Sequence, residues 1–345
     1  MNNTQSAPKI TKESKNKIRV EFERTPLKER LKAKFLSLFF LKNVVWYIFR
    51  LVLLLGISYI ILFPFFSKIA GSFMGMDDFV DVTVRLIPKN FTLDVYKAIV
   101  LENDYLTAFT NTLLLSSTTA LIQTFICTLI GYGFAKFKFK GSGILFLCVI
   151  LTMIIPHETI KLSMYMNFRY FDILGIFDLL GKLGIMEKGY LELNNTYWPF
   201  YILSVGGLAF KNGLYIFMMR QFFKCVPDEL EESAYVDGSG VFRTFVQVII
   251  PLSVPMMITV FLFAFSWTWT DDFYANLFFS AQKQQLMPSI VEIPKSLVTN
   301  YAGQNLWYAS IRNTCGLLII APLVIMYLFC QRYLIQGIER SGIVG

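Results

Sequence analysis

Six apolar stretches, each about as long as a membrane-spanning helix, constrain the fold of this chain more than any other feature. A helix that crosses the hydrocarbon core of a bilayer needs about 20 consecutive, mostly apolar residues. Because only 16% of the residues are charged, a soluble globular domain is excluded. The sequence therefore predicts an all-α membrane protein with six transmembrane helices, at about 45–66, 108–133, 143–165, 198–223, 251–271 and 313–334.

The distribution of Lys and Arg between the connecting segments predicts the orientation of these spans. Residues 1–42 hold 11 Lys and Arg against 4 Glu. With this tail inside the cell, the inner segments carry 19 basic residues and the outer loops carry 9. Cytoplasmic loops are enriched in Lys and Arg, so both termini are predicted to be cytoplasmic. The basic tail directly precedes an apolar run. This position favours the lipid bilayer as the partner of the tail and argues against a nucleic acid.

The chain is predicted to divide into a basic cytoplasmic tail, residues 1–43, and a six-span domain, residues 44–345. Residues 25–43 predict an interfacial helix, with Thr25 as its N-cap and Pro26 at its first position. Its basic side chains lie largely off the apolar face, as in helices that rest on an anionic bilayer. A simpler interpretation is that these charges only determine the topology.

Residue types that carry catalysis or bind metals are scarce in this chain. His157 is the only histidine, and no two of the five cysteines have C-x-x-C spacing. A phosphate-binding G-x-x-x-x-G-K-[ST] loop is absent from the sequence. We therefore expect that the protein is not an enzyme and that it binds no metal or cofactor itself.

The segment between the fourth and fifth spans, residues 224–250, is mostly polar and predicts two short helices with a break between them. Pro227 can begin the first helix, and the acidic residues that follow favour its positive N-terminal end. Gly238 and Gly240 permit the reversed backbone that ends it. A short helix tethered at both ends to membrane spans can transmit motion from a soluble partner.

This segment carries a resemblance to a known family. It contains Glu232-Ser233-Ala234, then three residues and Gly238, then nine residues and the run from Val248 to Pro251. The pattern resembles the EAA motif of permease subunits of binding-protein-dependent ABC importers. That motif reads E-A-A, then three residues, then G, then nine residues, then I-x-L-P. The chain departs from that motif at Ser233, Val248 and Ile250.

The resemblance extends over nearly everything after residue 44 and implies a type I ABC importer permease fold. The C-terminal run QRYLIQGIERSGIVG resembles the carbohydrate-transporting branch, in particular the smaller six-span subunit of maltose-type systems. Several partners follow from this resemblance: a second permease subunit in a heterodimer, an ATPase subunit dimer that binds ATP and Mg, and an extracytoplasmic sugar-binding protein. The implied location is the cytoplasmic membrane of a bacterium, and the implied function is the import of carbohydrate, of the oligosaccharide class.

The resemblance also implies roles for individual residues. The family's loop helix docks in a cleft of the ATPase, and the matching positions here imply an ATPase-coupling role for Glu232, Ser233, Ala234, Asp237, Gly238 and Pro251. Two alternatives stay open. One is a permease of the same fold for another solute such as polyamine, and the other is a membrane scaffold or sensor that does not conduct.

Polar and aromatic residues near the outer ends of the spans are candidates for contact with substrate. Polar groups inside a span are costly and are often functional. The candidates for the substrate pathway are Glu158, Trp267, Trp269, Asp271 and Asp272. Glu158 and Lys161 are three residues apart and could pair on one helix face. Tryptophans at this depth also fit the ordinary aromatic belt at a membrane interface.

Overall fold

The computed structural model describes residues 9–12, 18–21, 38–279, 285–300 and 304–342. The predicted interfacial helix lies outside the described residues as far as residue 37, and α1 has already begun at Leu38. The helices are α1 Leu38–Gly71, α2 Asp94–Glu102, α3 Tyr105–Lys136, α4 Ser142–Ile154, α5 Lys161–Arg169, α6 Ile176–Lys182, α7 Trp198–Val205, α8 Asn212–Lys224, α9 Glu229–Val236, α10 Val241–Thr244, α11 Ile250–Trp269, α12 Phe273–Phe278 and α13 Gln304–Gly342.

The chain divides into two compact units, residues 1–67 and 68–345. The first unit contains a two-stranded antiparallel sheet, Lys9–Lys12 paired with Ile18–Glu21, together with most of α1. Within the described residues this sheet is the one regular element that departs from the all-α prediction. The second strand, Ile18–Glu21, alternates between apolar and charged residues, which is the period of a strand. The second unit contains α2 to α13 and four short 3₁₀ helices, Met76–Phe79, His157–Ile160, Met287–Ile290 and Lys295–Leu297.

Four continuous helices in the described part of the chain are long and apolar enough to cross a membrane. They run over Lys42–Gly71, Tyr105–Lys136, Val241–Trp269 and Gln304–Ile335. They correspond to the predicted first, second, fifth and sixth spans. The described helices thus confirm a membrane protein with several apolar helices, whereas the number six depends on the two segments between α3 and α9.

The predicted third and fourth spans are each broken. Ser142–Ile154 and the segment after His157 meet at a 95° bend. Pro156 lies at this bend, and Ile155 before it has the extended backbone that a following proline imposes. The predicted span at 198–223 is interrupted between α7 and α8, where Gly207 and Lys211 both have positive φ angles.

The fifth span begins earlier than the sequence predicts. The helix that contains α11 starts at Val241 rather than at residue 251, because α10 continues through a π-helical turn, Phe245–Ile249, into α11. The widened turn lies directly before Pro251, where a proline inside a helix removes one backbone hydrogen bond. Pro251 therefore lies within the span and does not mark its start.

The core of the second unit forms where α3 packs against α8 and α11. Gly131 in α3 permits the close approach of α8, since a Cβ atom at that position would lie 2.6 Å from Cβ of Met219. Met219 and Val260 are completely buried at this contact. The three helices bring the C-terminal end of α3 next to the segment at 224–250 and the C-terminal end of α11 near α7.

Candidate functional sites: the loop segment and the polar cavity

The segment at 224–250, hereafter the loop segment, contains α9 as its exposed helix. Asp228 lies at the N-cap position of α9, and Glu229, Glu231 and Glu232 follow in its first turn. Negative charge at a helix N-terminus is stabilised by the helix dipole. The prediction of a short helix with an acidic first turn is thus confirmed.

A Schellman motif ends α9 at Gly238. The N–H group of Ser239 donates to the carbonyl oxygen of Ala234 over 2.9 Å, and that of Gly238 donates to Tyr235 over 3.0 Å. Gly238 has a φ of +82°, a conformation that side-chain-bearing residues rarely adopt. Gly240, by contrast, has a φ of −78° and begins α10 from an extended conformation. Of the two glycines in the loop, only Gly238 is therefore required by its backbone angle.

Lys136, the last residue of α3, connects the second span to the start of α9. Its ammonium group donates to the carbonyl oxygen of Val226 over 2.7 Å and contacts the carboxylates of Asp228 and Glu231 at 2.5 and 4.0 Å. The Lys136 side chain is only 7% exposed, and that of Glu231 only 9%. We call this set of interactions the Lys136 contact.

The Lys136 contact also shifts the titration of Asp228, which lies outside the membrane-spanning segments. Hydrogen bonding to the Lys136 ammonium group lowers the pKa of Asp228 below its ordinary value of 3.8. A lowered pKa stabilises the folded state above pH 3.8, and that stabilisation is lost as the pH falls through the lowered value. At neutral pH the contact is therefore fully formed.

Tyr132, one helical turn before Lys136, packs beneath the loop segment. Its ring contacts Phe223 at the end of α8 and Phe245 in the π turn, with ring centroids 5.5 and 4.7 Å apart. Because Tyr132 is almost completely buried between these rings, a displacement of the loop segment must also move α3 and α8.

The residues that match the family motif lie on the exposed side of α9. Glu232, Ser233, Asp237 and Gly238 are exposed, and Ala234 is half-buried. Apolar side chains are exposed beside them, with Val236 88% and Phe242 79% accessible. An exposed apolar patch rimmed by polar residues is typical of an interaction surface. Pro251 is also exposed, but it lies in the span beyond the π turn.

Two of the five candidates for the substrate pathway line one cavity. Trp267 and Asp271 lie there with Thr119 and Gln123 of α3, and with Phe210 between α7 and α8. Trp267 is 46% exposed. The cavity thus combines an aromatic face with polar groups from two different spans.

The other three candidates lie elsewhere. Trp269 is completely buried and donates its indole N–H to the carbonyl oxygen of Ile319, so it packs α11 against α13. Asp272 lines a separate cleft and accepts a hydrogen bond from Asn276. Glu158 is exposed, and no ion pair joins it to Lys161 in the described part of the chain.

Several residues of these sites carry little signal in the sequence. A hydrogen bond of 2.6 Å joins the Nδ1 atom of His157 to the hydroxyl group of Tyr274. This bond brings the bend at Pro156 next to α12. The Lys211 ammonium group lies over the rings of Phe210 and Trp267, at 4.6 and 4.9 Å from their centroids. The contacts of His157 with Tyr274 and of Lys211 with Trp267 join segments that are distant along the chain, and the local pattern of the sequence does not reveal them.

Comparison with known proteins gives the following relationships. A family model described as "Binding-protein-dependent transport system inner membrane component" matches residues 127–340. The probable ABC transporter permease protein YurM of Bacillus subtilis (strain 168) is 27% identical over 87% of this chain and 88% of its own length. The arabinooligosaccharides transport system permease protein AraQ of the same organism is 26% identical over 84% of this chain and 92% of its own length. The fold is also similar to that of a bacterial ABC transporter involved in the import of the acidic polysaccharide alginate, with a TM-score of 0.59 at 21% identity, covering 85% of this chain and 97% of that chain.

Proposed function

The chain belongs to the family of binding-protein-dependent transport system inner membrane components, and we propose that it forms half of the translocation pathway of an ATP-driven oligosaccharide importer. Members of this family are permease subunits of the cell membrane and are not enzymes themselves. The observation that carries the proposal is the likeness to AraQ, which covers 92% of that arabinooligosaccharide permease.

The loop segment supports coupling to a separate ATPase. Its exposed surface, from α9 to the start of α10, combines the motif residues Glu232, Ser233, Ala234, Asp237 and Gly238 with the apolar side chains of Val236 and Phe242. In this proposal that surface docks on an ATPase subunit dimer, which binds ATP and Mg. Pro251 contributes indirectly, since it lies where the loop segment becomes the fifth span.

The remaining partners follow from the same proposal. A second, different permease subunit pairs with this chain to complete the pathway, and an extracytoplasmic sugar-binding protein delivers the substrate. Six spans, with both termini in the cytoplasm of a bacterium, require that both broken segments cross the bilayer. Trp267 and Asp271 face the substrate pathway, because polar groups at membrane depth are disfavoured next to lipid.

The experiment compares two glycine variants of the loop segment. Gly238→Val places a β-branched residue at a positive φ, at a cost of about 1 to 3 kcal/mol, so the Schellman end of α9 is lost. Gly240→Val is the matched control, because its φ is negative and open space surrounds both positions. Uptake of labelled maltotriose, cellotriose and arabinotriose is measured in cells that express the complete transporter.

We expect Gly238→Val to abolish uptake while the protein still inserts into the membrane and Gly240→Val retains uptake. Equal uptake by the Gly238→Val and Gly240→Val cells would contradict the coupling role of α9. A wild-type complex that imports none of the three sugars would contradict the proposal of sugar import itself.

A further inference from the structure

Four polar side chains of α3 have a buried oxygen with no hydrogen-bond partner among the described residues, namely Ser116, Thr119, Gln123 and Tyr132. Of these four, only Thr119 and Gln123 line a described cavity, and they lie one helical turn apart. Most threonine hydroxyls in a helix donate to a carbonyl group one turn earlier, which removes the need for another partner. On α3, that bond is made by Thr110, Thr118, Thr124 and Thr128. The hydroxyl oxygen of Thr119, by contrast, is buried and has no hydrogen-bond partner among the described residues.

Gln123, one helical turn after Thr119, has the same property. Its amide nitrogen donates to the Ser204 hydroxyl over 3.4 Å, but its buried Oε1 atom has no partner in the described part of the chain. Thr119 is 1% exposed and Gln123 is 3% exposed. Buried polar atoms are almost always hydrogen-bonded, so two unsatisfied oxygens one turn apart indicate a site for a small hydroxyl-bearing group.

Both side chains line the cavity that also contains Trp267 and Asp271. The volume of this cavity is about 20 Å³, which is room for one water-sized group. It therefore admits a single hydroxyl group and not a whole sugar ring. A ring bound through one hydroxyl would lie outside the cavity, against the exposed part of the Trp267 indole.

We propose that Thr119 and Gln123, with Asp271 and Trp267, form a subsite that binds one hydroxyl of a neutral saccharide in the translocation pathway. This inference rests on the proposed function and adds a direct sugar contact by this subunit. Acceptor oxygens of Gln123 and Asp271 match the hydroxyl donors of a sugar, and an aromatic face matches its apolar C–H surface.

Charge argues for a neutral rather than an acidic saccharide. Asp271 is the one acidic side chain among the described residues that line the cavity, and no Lys or Arg is among them. A sugar carboxylate would therefore lack a cationic partner in this cavity, and an unpaired charge is costly to remove from water. Lys211 lies over the rings of Phe210 and Trp267 and lines the neighbouring cavity instead.

The test measures import by the complete transporter, purified with its partner subunits and reconstituted into liposomes with saturating binding protein. Thr119→Val and Gln123→Leu remove the two oxygens while keeping most of each side chain's volume. The matched control is Thr110→Val on the same helix, because the Thr110 hydroxyl is exposed and bonds only to its own helix. The neutral probes are maltotriose, cellotriose and arabinotriose, and the acidic probe is trigalacturonate.

We expect the wild-type complex to import a neutral trisaccharide in preference to trigalacturonate. Thr119→Val and Gln123→Leu should each lower the initial rate about tenfold, Thr119→Ser should restore it, and Thr110→Val should leave it within about twofold. Import at the wild-type rate by both pathway variants would overturn the subsite and leave only a structural water site, while the proposed function would stand. Preferred import of trigalacturonate would overturn the neutral class.

A second measurement does not depend on the transport rate. The affinity of the purified complex for a labelled neutral trisaccharide is measured by equilibrium binding. Thr119→Val should weaken this affinity by about tenfold, whereas Thr110→Val should leave it within about twofold. Equal affinity of the wild-type and Thr119→Val complexes would overturn the subsite.

Discussion

Lys136 shows how one side chain at the end of a span can hold a loop that is distant in the sequence. Its ammonium group bonds to the Val226 carbonyl, 90 residues along the chain, and to the first turn of α9. The side chains of Lys136 and Glu231 are nearly buried, so this pair is screened by water less than an exposed ion pair would be, whereas the Asp228 side chain is 77% exposed. The Lys136 contact therefore makes the position of α9 depend on the position of α3.

Replacement of Lys136 by methionine should uncouple the loop segment from α3. Lys136→Met removes the donors to Val226 and Asp228 and leaves the Glu231 carboxylate buried without its cation. The loss of a charged hydrogen bond costs about 1.5 to 3 kcal/mol, or roughly tenfold or more in an equilibrium. We expect the stimulation of ATP hydrolysis by loaded binding protein to fall by at least about tenfold, measured on the reconstituted complex.

The control for this variant is Lys138→Met, because Lys138 is exposed two residues further along. Lys136→Arg should restore much of the stimulation, since it keeps the charge and the donors. If Lys136→Met and Lys138→Met gave the same stimulation as the wild-type complex, the Lys136 contact would have no part in coupling.

At the scale of elements, close packing of α3 against α8 determines the arrangement of the core. Gly131 lies at this contact, where an added Cβ atom would meet Cβ of Met219 at 2.6 Å and the backbone nitrogen of Arg220 at 3.0 Å. Gly133, two residues later on the same helix, has open space around it. Gly131 is therefore required for the close contact between α3 and α8, whereas Gly133 is not.

Alanine at these two glycines should change stability in opposite directions. Gly131→Ala forces α3 and α8 apart and should destabilise the protein by about 1 to 3 kcal/mol. Gly133→Ala adds helix propensity without a clash and should stabilise it by up to about 1 kcal/mol. Thermal unfolding of the purified protein in detergent measures both changes. Shifts of the same sign and size would contradict the close approach of the two helices.

The elements also show which parts of the fold can be predicted from the sequence. Composition and helix length were enough to locate α3 and the motif in α9, because each depends on neighbours along the chain. Pro156 signals the bend at the third span, but the sequence shows only that a break is possible and not its angle of 95°. The sequence makes Trp269 a candidate for substrate contact, but its side chain is buried against α13, and burial of this kind depends on a helix that is distant in the sequence.

At the scale of the whole molecule, the number of spans depends on whether both broken segments cross the bilayer. The Lys136 contact holds the end of α3 next to α9, so the segment between them crosses the bilayer either twice or not at all. With both termini in the cytoplasm, as the distribution of Lys and Arg predicts, the connection at 173–194 lies outside the cell if the α4–α5 and α7–α8 segments cross. If both are re-entrant, that connection lies inside, and the orientation of the other spans is unchanged. The position of this single connection therefore decides between six and four spans.

Cysteine labelling of intact cells can locate the connection. Ile185, in the segment 173–194, is 68% exposed and should react as Ile185→Cys with a membrane-impermeant thiol reagent added from outside. Val82, in the predicted first outer loop, is 90% exposed and provides the outer control as Val82→Cys. Ser239→Cys, just after α9, should react only after the cells are opened, and Cys225→Ser removes the exposed native thiol nearby.

Labelling of Val82→Cys but not of Ile185→Cys in intact cells would mean that the broken segments are re-entrant. The cavity at Trp267 would then need a different route to the outside, because α7 and α8 would not connect the two faces of the membrane.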